Sequence, residues 1–408
     1  MEKPVPKRDQ MEESDASENN GVTQRVEKSL DPSICLSYDI MRHIFQYLRG
    51  MDQVNAALVC KLWLANYFKW LRRPLCSYVS YSGLGDIVNY LNNVKVIKPS
   101  IGFYFINCLP HKYQDCSLQC NFLDDCIGVF LPAHCETMKL FSPFMFVDMS
   151  IRVKQPDKCH LSCAFLPQIP KVEIKSFKLE VEKDCIIQKT DEFREIICAI
   201  NNYKTSILNR ETSTCFMLFS NYPGQMRAER WASIIQDSIG NEIASVWGGV
   251  FEDVYSRKLL LFKKKDQKDE KIKEEYILKG IPYCVAILII GSMQTWSVIL
   301  EEKCNTKEQI EARLKLFKNK VKLNTHSIGF MFVADFDRNE LYKKSNVEST
   351  AFKKLFPKVP LVPCFNYGAF GKNTIVETND EKTSKMEERK PELWYNEKGT
   401  VFLILTYG

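Results

Sequence analysis

Cysteine and histidine are the residues here whose types could do chemistry, and their spacing decides whether they do. Sixteen cysteines and five histidines are spread over 408 residues. One concentration, Cys116-x3-Cys120-x5-Cys126 with His134-Cys135 and then Cys159-His160-x2-Cys163, offers enough soft ligands for a tetrahedral zinc site. Only His160 and Cys163 have the two-residue spacing of a zinc knuckle, and no two cysteines of the group share it. Cys163 also lies in a strand-like stretch, where a thiol is commonly a small core side chain. No metal and no cofactor is therefore assigned. His43, His111, His134, His160 and His326 fall into no triad and no metalloprotease spacing. Gly248-Gly249 stands alone rather than in a phosphate-cradling loop. No residue is assigned a catalytic role.

The elements that position these residues follow from composition and pattern. Hydrophobic residues make up 45% of the chain and charged residues 26%, enough for a sizeable core, and the length suggests two or three domains. The longest apolar run, Ile281 to Ile290, is a buried strand by length and falls short of the roughly 18 residues a membrane span needs. The N-terminus, Met-Glu-Lys-Pro-Val-Pro-Lys-Arg, lacks the apolar core of a secretory signal, so the cysteines read as reduced thiols. The net charge of +6 is spread out, with no aromatic-rich binding motif beside it. Neither nucleic acid nor membrane is expected as a partner, and cytoplasm and nucleus are the expected locations.

Residues 1–30 are polar and charged and read as a disordered tail. Ser37 can then cap a helix in which Ile40, Ile44 and Leu48 recur at i, i+4 and i+8, with Met41 and Phe45 beside them. Gly50 is expected to end that helix and Asp52 to cap the next, where Val54, Ala57, Leu58 and Leu62 keep the spacing before Trp63. Pro74 stops the last helix. A unit this short buries too little to be very stable alone, so part of its face awaits a partner. On periodicity alone, ordinary helical core is the simpler interpretation.

From Leu75 the period changes. Strands are expected at 76–81, 100–107, 127–131, 161–167, 176–181, 216–220, 244–250, 284–291, 295–300, 327–334, 361–367 and 400–405. Helices are expected at 86–94, 225–238, 307–321 and 348–356, and the charged runs at 263–275 and 377–392 read as loops. The fold class is α+β: a three-helix unit, then a mixed α/β domain of largely antiparallel sheets covered by helices on one face.

Two stretches carry family resemblances. Leu36, Ile40, Ile44, Phe45, Tyr47, Leu48, Asp52, Leu58, Val59, Cys60, Lys61 and Trp63 stand in register with the F-box pattern, and residues 31–74 resemble an F-box. Ser37 replaces the family's proline and Asp39 its usual glutamate, and both still start a helix. The resemblance implies docking onto the Skp-type adaptor of a cullin ubiquitin ligase, and through it onto the cullin and RING subunits. The docking residues would be Leu36, Ile40, Ile44, Leu48, Val54, Leu58 and Trp63.

Ile328-Gly-Phe-Met-Phe, the stretch Asn346 to Leu361, and Gly368-x-x-Gly371 resemble the C-terminal part of a FIST domain, a sensory module. Trp247-Gly248-Gly249 resembles the Gly-Gly turn of its N-terminal part. The implied division is a FIST N-like region at 75–300 and a FIST C-like region at 301–408. The family's ligand pattern, Gly-Phe-x-Gly-x-Gly-Glu-x-Gly, meets Pro363-Cys-Phe-Asn-Tyr-Gly-Ala-Phe-Gly371 here. Gly368 and Gly371 keep it, whereas Pro363, Asn366 and Ala369 replace two glycines and the acid. A remaining ligand or substrate pocket would use Gly248, Gly249, Cys364, Gly368 and Gly371; plain turn residues are the alternative for the glycines.

Together the resemblances imply a non-catalytic substrate-recognition subunit of a Skp–cullin–F-box ligase. It would bind target proteins through the FIST-like domain and promote their proteasomal degradation. The alternative is an intracellular small-ligand sensor whose FIST-like domain regulates a protein partner.

Overall fold

The apolar spacing at the start of the chain folds as α1 (Tyr38–Tyr47), α2 (Gly50–Ala57) and α3 (Lys61–Leu71). The computed structural model describes residues 38–48, 50–81, 99–107, 135–142, 145–147, 151–153, 159–179, 186–206, 213–256, 282–334, 346–365, 367–374 and 393–408. The tail at 1–30, Leu36, Ser37, the helix at 86–94, the strand at 127–131, Cys116, Cys120, Cys126, His134 and the loops at 263–275 and 377–392 lie outside them.

One expectation in the helical unit is corrected. Gly50 opens α2 rather than ending α1, and Asp52 sits in the first turn of α2 rather than at its cap. The end of α1 is closed from a distance instead. The buried Gln53 side chain donates to the carbonyls of Phe45 at 3.0 Å and Leu48 at 2.9 Å, the job a glycine cap would otherwise do.

The rest of the chain repeats one plan three times. The first sheet is built from β1 (Leu75–Tyr81), β2 (Pro99–Asn107), β3 (Glu136–Phe141) and, after a small hairpin of β4 (Met145–Val147) and β5 (Ile151–Val153), β6 (Cys159–Pro167). The second uses β7 (Val172–Lys178), β8 (Ser213–Asn221), β9 (Ser245–Phe251) and, after β10 (Asp253–Ser256), β11 (Cys284–Gly291). The third uses β12 (Gln294–Leu300), β13 (His326–Val333), β14 (Leu361–Phe365) and, after β15 (Gly368–Gly371) and β16 (Tyr395–Asn396), β17 (Thr400–Tyr407).

In each sheet the fourth strand lies between the first and second and runs antiparallel to both, while the second and third are parallel. Even the registers agree. Cys76, Ala164 and Phe103 stand opposite one another in the first sheet, Ser176, Ile287 and Met217 in the second, and Ser297, Leu403 and Phe330 in the third.

The units are also interlocked. After its third strand, each sends chain to the edge of another unit's third strand: β10 pairs with β3, β15 pairs with β9, and β4 lies against β14. Glu252 N–H bonds the Phe141 carbonyl at 3.0 Å, and Tyr367 N–H repeats that bond at the equivalent Val250 carbonyl at 3.2 Å.

Alternation along the strands builds the core. Ile101, Phe103 and Phe105, Cys215, Met217 and Phe219, and Ile328, Phe330 and Phe332 all point into one interior shared by the three sheets. The outward faces of the second and third sheets are buried as well, under α4 (Asp191–Ser206) and α5 (Gln225–Ile239), and under α6 (Lys307–Lys320) and α7 (Val347–Leu355). Strands buried on both faces read as continuous apolar runs, as Cys284 to Ile290 does. Thr306 and Gln309 close the start of α6 with a reciprocal capping box.

The α+β class and the N-terminal helical unit agree with expectation, but three local readings do not. Helix α4 lies where no helix was expected, although Phe193, Ile196, Ile197 and Ile200 recur at i, i+3, i+4 and i+7 and pack into the core beneath it. β7 begins at Val172, ahead of the alternating stretch that marked it. Gly248-Gly249 lies inside β9 rather than at a turn, because the neighbouring Leu218 backbone and Phe332 ring occupy the space any side chain there would need.

Candidate functional site

Among the described residues, helices α1 to α3 hold a small core of Met41, Phe45 and Ala56, with Ile44, Leu48, Trp63 and Tyr67 packed against it half-buried. The Phe45 and Trp63 rings lie 5.8 Å apart. Buried Asn66 donates to the Leu62 carbonyl one turn back at 2.9 Å. Several other apolar residues of these helices face outward: Ile40 is 44% exposed, Leu58 79%, Val59 67% and Leu62 45%. Tyr47, Leu64 and Phe68 are exposed too. Apolar surface gathered around one short helical unit marks an interaction site, and covering each such side chain fully is worth about 1.5–3 kcal/mol.

The residues expected to dock therefore divide. Ile40 and Leu58 are on the surface, Ile44, Leu48 and Trp63 hold the unit together, Val54 is half-buried, and Leu36 lies outside the described residues. Val59 and Leu62 were not singled out for docking by sequence reasoning. Their position at the α2–α3 junction, where the helical spacing breaks, was the available signal. The unit is tied to the sheet body by the Tyr407 hydroxyl, which donates to the Arg72 carbonyl at 2.8 Å. Tyr407 is itself buried, and burial holds its phenol well above the ordinary range.

The five residues expected around a pocket come together in the sheets. Gly248 and Gly249 on β9 adjoin Gly368 and Gly371 on β15, and Cys364 of β14 shares the same interior. This chain's own side chains pack closely there. A Cβ at Gly249 would meet the Phe332 ring, one at Gly371 would meet Val401, and one at Gly368 would meet the Tyr395 hydroxyl. Gly248 has φ 149° and abuts the Leu218 carbonyl, a conformation and proximity that suit glycine. Burial raises the Cys364 thiol well above its ordinary value and pushes the Cys76 and Cys215 thiols up to about 12. Thiols held protonated this way are poor nucleophiles. Of the cysteine cluster, Cys135, just ahead of β3, and Cys163, within β6, are buried. Among the described residues no group of three or more His, Cys, Asp or Glu side chains could hold a metal ion.

Comparison with known proteins places these features. The F-box domain family matches residues 34–65, which take in α1, α2 and the start of α3. Over 396 residues the chain is 31% identical to F-box only protein 22 of Homo sapiens, spanning 91% of this chain and 93% of that protein. The chain belongs to the F-box only protein 22 family. F-box only protein 22 of Pongo abelii is 30% identical over the same shares. Among solved structures, the cyanuric acid hydrolase of A. caulinodans is similar over 82% of this chain and 100% of that one, at 9% identity and a TM-score of 0.33, too slight a likeness to argue from.

Membership of the F-box only protein 22 family supports the role of a substrate receptor in a Skp–cullin–F-box ligase, and the F-box supports binding of a Skp1-type adaptor. F-box proteins are generally non-catalytic adaptors. No helix among the described residues is long and apolar enough to cross a membrane.

Proposed function

We propose that this chain docks the adaptor through the outward apolar face of α1–α3 and presents target proteins from its sheet body for ubiquitination and degradation. Ile40, Leu58, Val59 and Leu62 make the contact, and Ile44, Leu48, Val54 and Trp63 hold the face in shape. One observation carries the reading: Leu58, in the stretch matched by the F-box family, is left 79% exposed. The ligase's bond-making step belongs to other subunits, so this chain contributes proximity, raising the effective concentration of a target lysine.

We take residues 75–300 as the FIST N-like region and 301–408 as the FIST C-like region. The first strand of the third sheet, Gln294–Leu300, falls on the earlier side of that division. Target binding belongs to this body, on the side where β15 carries Gly368. The protein would act in cytoplasm and nucleus.

Co-expression with a Skp-type adaptor tests the docking. The wild-type chain should co-purify with it, and Leu58→Asp should lose it while the melting temperature of the sheet body stays unchanged. Ile40→Asp should weaken it in the same way. Full retention of adaptor by both variants would count against the assignment.

A further inference from the structure

Away from α1–α3, among the described residues, one place on the sheet body holds aromatic rings outward on firmly fixed backbone. Tyr222 opens the turn Tyr222–Gly224 after β8, and Tyr367 stands just ahead of β15. Their rings lie 5.2 Å apart, and they are 61% and 44% exposed. Met226, one turn further on in α5, is 83% exposed.

The turn beneath them is over-determined. Buried Asn221 accepts from the amides of Gly224 at 3.0 Å and Tyr283 at 2.8 Å, Pro223 fixes the turn's φ, and a Cβ at Gly224 would strike the Tyr283 backbone. Half-buried Tyr395 fills the space left by Gly368 and accepts from Gln225 Nε2 at 2.7 Å, and the same nitrogen donates to Glu229 at 2.9 Å.

Carboxylates lie near Tyr367 and Tyr395. Burial raises Tyr367 and Tyr395 first, the latter to about 12, with Glu252 adding to the rise at Tyr367 and Glu229 and Glu397 at Tyr395. Of the cations on these elements, Arg227 donates to the Pro282 carbonyl at 3.2 Å, Lys398 reaches Glu302 at 3.4 Å, and Arg230 has a partner of its own.

The geometry points to Tyr222 and Tyr367, with Glu252 near Tyr367 and with Glu229 and Glu397 near the adjoining Tyr395, as a docking platform for a protein segment that presents a lysine or arginine beside an aliphatic side chain. Rigid tyrosines give contact area at little entropic cost, and Met226 adapts to the neighbouring apolar group. A cation gains from the ring faces and from the carboxylates together, while an acidic segment is repelled. The inference rests on the substrate-receptor reading and deepens it by naming the class of segment the body accepts.

The test uses the full chain bound to its adaptor, panned against a displayed library of random linear peptides. Enriched peptides should carry Lys or Arg next to Leu, Ile, Val or Met. The strongest, made synthetically, should bind about tenfold more weakly to the Tyr222→Ser/Tyr367→Ser variant, and should be weakened when its basic residue becomes Gln. Tyr222→Phe with Tyr367→Phe should keep the binding. Should the serine pair lower the melting temperature, Glu229→Lys with Glu252→Lys replaces it and should turn the preference toward acidic peptides. No preference for basic residues, or binding indifferent to both variants, would overturn the proposal. Adaptor co-purification is read on the same proteins and should stay intact in all of them. Its loss from the wild type would count against the ligase reading, while the peptide selection would still report on the platform.

Discussion

Two regions of this molecule use the same kind of side chain in opposite ways. In the sheet body Leu403, Phe330 and Trp247 are wholly buried, and three sheets contribute rings to one interior. In the helical unit Leu58 is 79% exposed, and among the described residues the buried apolar side chains are few: Met41, Phe45, Ala56 and Ala57. Size explains the contrast. A unit of three short helices has too much surface for its volume to hide its own apolar residues, whereas a body of three interlocked sheets does not. On the docking proposed above, the first region is completed by a partner, whereas the second buries its own apolar residues.

Breaking the body should give the largest effect. Phe330 lies 5.0 Å from Trp247 and 5.9 Å from Phe103, ring centre to ring centre. Phe330→Ala should therefore cost about 3–5 kcal/mol in chemical denaturation, while folded material keeps its adaptor affinity. Because the sheets exchange edge strands, the loss should appear as a single transition across the body. Separate transitions for the three sheets would contradict the interlocking.

A change inside the helical unit should be smaller and local. Gln53→Ala leaves two carbonyls at the end of α1 without their donor and should cost about 1–3 kcal/mol, read as faster amide exchange in residues 38–57 with the body unaltered.

Smallest near neutral pH is a titration effect. Folded Cys76 and Cys215 are pushed up to about 12 against an ordinary value of 9.0, so the folded state retains protons that the unfolded chain releases. Their contribution is fully present below pH 9 and is lost as pH climbs toward 12, at about 1.4 kcal/mol per pH unit for each thiol. Unfolding midpoints between pH 8 and 11 should fall accordingly, and Cys215→Ala should flatten the curve.

Most strands were legible as short apolar runs, as in Phe216 to Phe219, and the helices α5 to α7 by their spacing and stops, as in the capped run from Lys307. The threefold plan was not, although its trace is present. Ser100-Ile-Gly-Phe-Tyr-Phe and Ser327-Ile-Gly-Phe-Met-Phe are two copies of the second strand. The middle copy, Thr214-Cys-Phe-Met-Leu-Phe, hides the repeat by placing Phe216 where the others have glycine, so that it can pack under α5. At the docking face the period located the helices but could not say which apolar residues would turn inward. Ile40 and Ile44 are one helical turn apart, yet one is on the surface and the other packs on Phe45. That difference depends on where α3 lies, which is tertiary information.

Hydrogen–deuterium exchange on the full chain, with and without purified adaptor, tests the central claim most directly. Protection gained on binding should be confined to residues 38–71 and strongest across the α2–α3 junction around Leu58 and Val59, with the three sheets unchanged. Exchange in that junction that is already slow without adaptor, or that does not change when adaptor is added, would contradict it.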